Sequence, residues 1–133
     1  MESMVNIAAI AASKHLKEKI TMEDLEVAKD TVVMGPERKS MVISPENKKR
    51  IAFHEAGHAI MAYHSQIPIV KATIMPRGNA LGHVSYHPRD ELFTTKQELS
   101  QQVDIAMGGR ASEEISFGSD HVTQGLLYLF RHF

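Results

Sequence analysis

The segment His54-Glu55-Ala56-Gly57-His58 constrains this chain more than any other, because the pattern H-E-x-x-H ties one local conformation to one chemistry. An α-helix advances one turn in about 3.6 residues, so imidazoles four positions apart project from one face and can share a single metal ion. Glu55 lies beside them, placed to take a proton from water. The flanking sequence supplies the helix that this reading needs. Ser44-Pro45 reads as an N-cap followed by proline at the first helical position, where its missing N–H costs nothing. From Ile51 the apolar residues Ile51, Ala52, Ala56, Ala59, Ile60 and Ala62 follow a helical spacing, and the helix is expected to run to about Tyr63. Gly57 would cost about 1 kcal/mol relative to alanine in an exposed helix, so a close neighbour is expected at that point. The competing interpretation is an ordinary helix that happens to carry two histidines.

Other features narrow the chemistry by exclusion. The chain has no cysteine, which removes disulfides and thiolate ligands, so a metal must be held by imidazole and carboxylate oxygen. Fifteen basic residues nearly cancel sixteen acidic ones, and nothing in that balance points to nucleic acid. No apolar run approaches the roughly 20 residues that cross a bilayer, and no signal peptide opens the chain, so the expectation is a soluble piece. With 133 residues and 43% hydrophobic content, there is material for one small core, or for a compact domain with an appended fragment.

Along the chain, Glu2 to Lys14 is rich in alanine and isoleucine and is expected to be helical. Thr21-Met22-Glu23-Asp24 is a capping pattern that opens a second helix to about Asp30, and Met34-Gly35-Pro36 breaks it. A domain boundary is expected near Gly35, with a linker over 36–43 before the motif helix. After that helix, Ile69 to Met75 reads as a strand, Pro76-Arg77-Gly78-Asn79 turns the chain, and Gly82 to Tyr86 reads as a second strand, together a hairpin. Thr94-Thr95-Lys96-Gln97 offers a further capping box for a long helix to about Ile115. Gly108-Gly109 inside it calls for close helix contact. Glu113 and Glu114 near its end are chemically able to bind a metal, although paired glutamates late in a helix are more often solvated surface. The fold class expected is mostly α with a small β-hairpin, built on a zincin-like H-E-x-x-H helix.

Six segments in order carry a resemblance. Met34 to Ser40, His54 to His58, Ala72 to Gly78, Leu81 to Val84, Met107 to Arg110 and Phe117-Gly118 resemble the FtsH-type ATP-dependent zinc proteases, and within them most the mitochondrial inner-membrane i-AAA type. The resemblance implies that residues 1–35 are the C-terminal helices of an AAA lid and that 44–125 are the N-terminal part of a zinc peptidase domain, left incomplete. Residues 126–133 read as a divergent tail.

The same resemblance implies Zn2+ held by His54 and His58, with Glu55 as general base of peptide-bond hydrolysis. Ile74, Met75, Pro76 and Arg77 would border the substrate cleft. It further implies polypeptide substrates, a homo- or hetero-hexamer and a mitochondrial inner-membrane location for the intact protein. Two departures stand against the family pattern. Leu129 occupies the place, four residues past Gly125, where the resemblance expects an aspartate as third zinc ligand, which leaves Glu113, Glu114 and His132 as substitutes. No G-x-x-x-x-G-K-[ST] phosphate loop is present, so ATP is expected of the full-length family and not of this chain. The alternative to an active peptidase is therefore a catalytically incompetent fragment that acts by association.

Overall fold

A computed structural model describes residues 2–87 and 93–123, which divide into two compact units. Among the described residues, the first comprises 2–41 with 75–80, and the second 42–74 with 81–87 and 93–123.

The first unit is built on a helical pair, α1 (Glu2–Lys14) and α2 (Met22–Met34). Its contact face is alanine, with Ala8, Ala12 and Ala28 buried, so the helices close on small side chains. The start of α2 is fixed by a reciprocal capping box, in which the Thr21 hydroxyl accepts from the Asp24 N–H and the Asp24 carboxylate accepts from the Thr21 N–H. Lys17 Nζ adds a 2.7 Å ion pair to Asp24. The helix runs to Met34, about one turn beyond the expected end, because Gly35 is the first residue that leaves the helical conformation.

In the same unit, Arg77 lies 4% exposed between Glu37 at 2.5 Å and Asp30 at 3.8 Å. The Arg38 N–H donates to the Pro76 carbonyl at 2.9 Å, which closes the run 75–80 on the chain just after α2.

The second unit holds α3 (Pro45–His64), β1 (Ile69–Thr73), β2 (His83–Tyr86), α4 (Lys96–Phe117) and a 3-10 turn at Ser119–His121. Helix α3 begins as its sequence dictates, with the Ser44 hydroxyl accepting from the Asn47 N–H and Pro45 in the first turn. Helix α4 opens on a box formed by Thr95 and Glu98. Antiparallel pairing sets Ala72 opposite Val84 and Thr73 opposite His83, with a bulge between Ile69 and Lys71. Two strands alone are marginal in water. The buried Val84 of β2 and the packing of both strands on α3 hold them in place.

The fold is thus mostly α with one small antiparallel hairpin, as the patterning implied. Helices α3 and α4 cross antiparallel where Gly57 meets the backbone of Gly108, and the Ser112 hydroxyl donates to the Phe53 carbonyl at 2.7 Å. The expected close neighbour of Gly57 is therefore Gly108. Phe53 and Phe117 meet edge to face at 5.4 Å, and the Arg50 guanidinium lies 4.9 Å from the Phe117 ring.

Candidate metal centre

Histidines 54 and 58 stand one turn apart on α3 with ring centroids 4.7 Å apart and planes at 82°. Each ring is oriented by an oxygen of α4. His54 Nδ1 pairs with Glu113 Oε1 at 2.6 Å, and His58 Nδ1 with the Ile105 carbonyl at 2.7 Å. A carbonyl can only accept, so His58 carries its proton on Nδ1 and presents the Nε2 lone pair. An ionised Glu113 imposes the same tautomer on His54. The two Nε2 atoms converge, lying 2.6 and 2.7 Å from the point where a Cβ on Gly109 would stand. Two imidazoles with Nδ1 committed and Nε2 free and convergent fit a borderline ion such as zinc as a pair of ligands.

Glu113 contradicts the surface reading of the glutamate pair. It is 1% exposed, whereas Glu114 is exposed to solvent. Burial works against its charge, yet the Thr123 N–H at 2.7 Å, the Thr123 hydroxyl at 2.8 Å and His54 outweigh that effect and hold its pKa below the ordinary glutamate value. It grips the Nδ1 side of His54, away from the convergent nitrogens, so it orients the ring. Accordingly, among the described residues no group of three or more His, Cys, Asp or Glu side chains is arranged to hold a metal ion. Leu129, His132 and Gly125, at which the third-ligand question turns, lie outside the described residues.

Glu55 is pushed up to about 7 by burial. Gly82, in the approach to β2, contributes to that burial, since a methyl placed on it would come within 2.6 Å of Glu55 Oε1. Burial also raises the Tyr86 phenol to about 12, with the charge of Glu55 adding to it. His58 is lowered, first by burial and against the pull of Ile105 and Glu113, with His54 and His83 contributing positive charge.

The run Ile74 to Arg77 presents a mixed surface. Ile74 is half-buried, Met75 is 46% exposed, and Pro76 and Arg77 are buried.

The Ile105 carbonyl and the orienting role of Glu113 escape motif reading, as does the approach of Gly82 to Glu55, although the sequence offers Glu113 as a possible ligand. The first two carry a faint signal, since Ile105, Gly109 and Glu113 are spaced four apart and so line one face of α4.

The H-E-x-x-H helix, with both histidines braced from a second helix, is zincin-like. The chain belongs to peptidase family M41, whose pattern matches residues 41–127. It is 50% identical over 94% of its length to the ATP-dependent zinc metalloprotease YME1L1 of Mus musculus. It is 51% identical over 94% of its length to the ATP-dependent zinc metalloprotease FTSH 11, chloroplastic/mitochondrial, of Arabidopsis thaliana. The FtsH of Caulobacter vibrioides matches at 44% over the same share. The FtsH-type resemblance read from the six segments is borne out. The chain spans 18%, 16% and 20% of the length of these three relatives.

Proposed function

We propose that the chain carries the zinc-binding part of the peptidase domain of an ATP-dependent zinc metalloendopeptidase that acts on polypeptides in membrane-protein quality control. The observation that carries this reading is the bracing of both imidazoles from α4, by Glu113 and by the Ile105 carbonyl, which leaves two convergent Nε2 donors beside a buried glutamate. His54 and His58 would hold the ion through those nitrogens. Zinc, when bound, polarises the scissile carbonyl and makes water more acidic.

Glu55 is the general base. It takes the proton from water and later hands it to the leaving amine, so no covalent intermediate is required. Its position between the two ligands on the helix keeps it beside the reacting atoms.

Ile74 to Arg77 border the substrate in this reading. The guanidinium of Arg77 pairs with Glu37, and the Pro76 carbonyl and the Arg77 N–H and carbonyl bond to Arg38 and Ala80, so contact with a peptide would fall to the surface of Ile74 and Met75.

Residues 1–35 as lid helices, 36–43 as linker and 44–125 as the peptidase portion complete the assignment. ATP use, a ring of six and a mitochondrial inner-membrane setting belong to the whole protein. Among the described residues no helix is long and apolar enough to cross a membrane.

The sequence motivates a second reading, an association module without catalysis: Leu129 stands where the family resemblance expects an aspartate. Calorimetric zinc titration of the chain and of its Leu129→Asp variant separates the two. The expected result is weak binding by the unmodified chain and at least a tenfold gain with the aspartate. In a full-length version Glu55→Gln should abolish peptide cleavage while zinc stays bound. Tight binding of one zinc by the unmodified protein contradicts the lack of a third ligand and with it the second reading, and loss of zinc on Glu55→Gln contradicts the base.

A further inference from the structure

Helix α4 carries two successive glycines in mid-helix, where glycine is a poor helix former and neither residue has the positive φ that would demand it. The two have different surroundings. A methyl on Gly108 would approach the Gly57 carbonyl oxygen to 2.6 Å and Met61 Cγ to 2.7 Å, so this glycine lets α3 and α4 close. A methyl on Gly109 would meet His58 Nε2 at 2.6 Å and His54 Cε1 and Nε2 at 2.7 Å, and these three imidazole atoms are its nearest neighbours. Neither ring is free to yield. His54 is held at Nδ1 by the buried Glu113 and His58 by the Ile105 carbonyl. Both of those anchors sit on the same helix, four residues either side of Gly109.

From this the geometry points to Gly109 as a positioning residue of the metal centre. Its bare Cα keeps open the space onto which both Nε2 atoms converge, and any side chain there pushes the two rings off their Nδ1 partners. The inference rests on reading His54 and His58 as the metal ligands, but its consequence for the rings holds in metal-free protein. Helix propensity and site geometry predict opposite things for Gly109→Ala. The added methyl should favour the helix, yet it should displace the imidazoles. For Gly108→Ala the clash is with backbone, and the fold itself should suffer.

The test compares the full 133-residue chain with Gly109→Ala, Gly108→Ala, and Gly109→Ala combined with His54→Ala and His58→Ala. Metal-free protein is followed by thermal unfolding and by the imidazole Nδ1–H signals in NMR. Zinc binding is measured separately by calorimetry. In Gly109→Ala the protected Nδ1–H signals of both histidines should be lost while the helical content stays. Any measurable zinc affinity should fall at least tenfold. Should Gly109→Ala fail to fold, removal of both imidazoles should restore folding.

Unchanged imidazole signals in a folded Gly109→Ala overturn the inference, as does failure of the histidine-free variant to rescue an unfolded one. Absence of zinc binding by the unmodified chain counts against the metalloprotease reading alone, because the imidazole signals still decide the role of Gly109.

Discussion

At the scale of single residues, the centre is governed by what burial does to charge. Glu55 has a folded-state pKa of about 7 against an ordinary 4.5, because its carboxylate loses water without gaining a partner cation in the metal-free chain. Folding therefore favours the protonated acid. Stability from this group is intact below pH 4.5 and is lost as pH rises toward 7. Glu55→Gln should accordingly stabilise the metal-free protein at pH 8 by about 1–2 kcal/mol, allowing for the water that still reaches the side chain. At pH 4 it should change nothing. Denaturant melts at the two pH values check this, and an equal effect at both would contradict it.

Glu113 works in the opposite sense, as an anion satisfied by three donors. Glu113→Ala strands the Thr123 N–H and His54 Nδ1, which should cost about 2–3 kcal/mol in chemical unfolding. It should also weaken zinc binding about 10–100-fold, the usual consequence of losing a group that orients a ligand. Retained affinity would show that His54 needs no such brace.

At the scale of elements, α3 and α4 are matched along their crossing. Proceeding up α3, Phe53, His54, Gly57 and His58 meet Ser112, Glu113, Gly108 and Ile105 in turn. The spacing of the imidazole pair and the spacing of its anchors are thus two halves of one helix contact. Gly57→Ala drives a methyl into the Gly108 carbonyl and Ser112 Cβ, and neither can move without separating the helices. The expected loss is about 2–4 kcal/mol, more than the roughly 1 kcal/mol that alanine gains as a helix former. Thermal unfolding of the variant measures the balance, and an increase in Tm would overturn the packing account.

At the scale of the molecule, the two units carry their stabilising devices separately. The first depends on Asp24, whose pKa is lowered to about 2 by the Lys17 ammonium and by the N–H and hydroxyl of Thr21. A folded-state value below the ordinary 3.8 means that stability is present above pH 3.8 and is lost as pH falls toward 2. Far-UV circular dichroism between pH 5 and 2 should show α1 and α2 loosening in that window. Asp24→Asn should flatten the transition. The second unit instead leaves Ile60 and Tyr63 of α3 at 56% and 77% exposed, so part of the surface beside the motif helix is apolar.

What the sequence determined by itself was what short-range physics controls. Caps at Thr21 and Ser44, the break at Gly35, and the four-residue spacing of His54 and His58 are interactions between near neighbours, and they were legible as written, whereas the box read over Thr94 to Gln97 forms one residue later, between Thr95 and Glu98. The family could also be read, because its segments fall in a fixed order. Tertiary structure alone decided the rest. Glu113 is one of two adjacent glutamates with the same local surroundings. Only the crossing of α4 over α3 buries the first against His54 and leaves the second in water. The same crossing gives neighbouring Gly108 and Gly109 different tasks, one against backbone and one against the imidazoles. Such distinctions depend on contacts between residues about fifty to sixty positions apart. No local propensity encodes them.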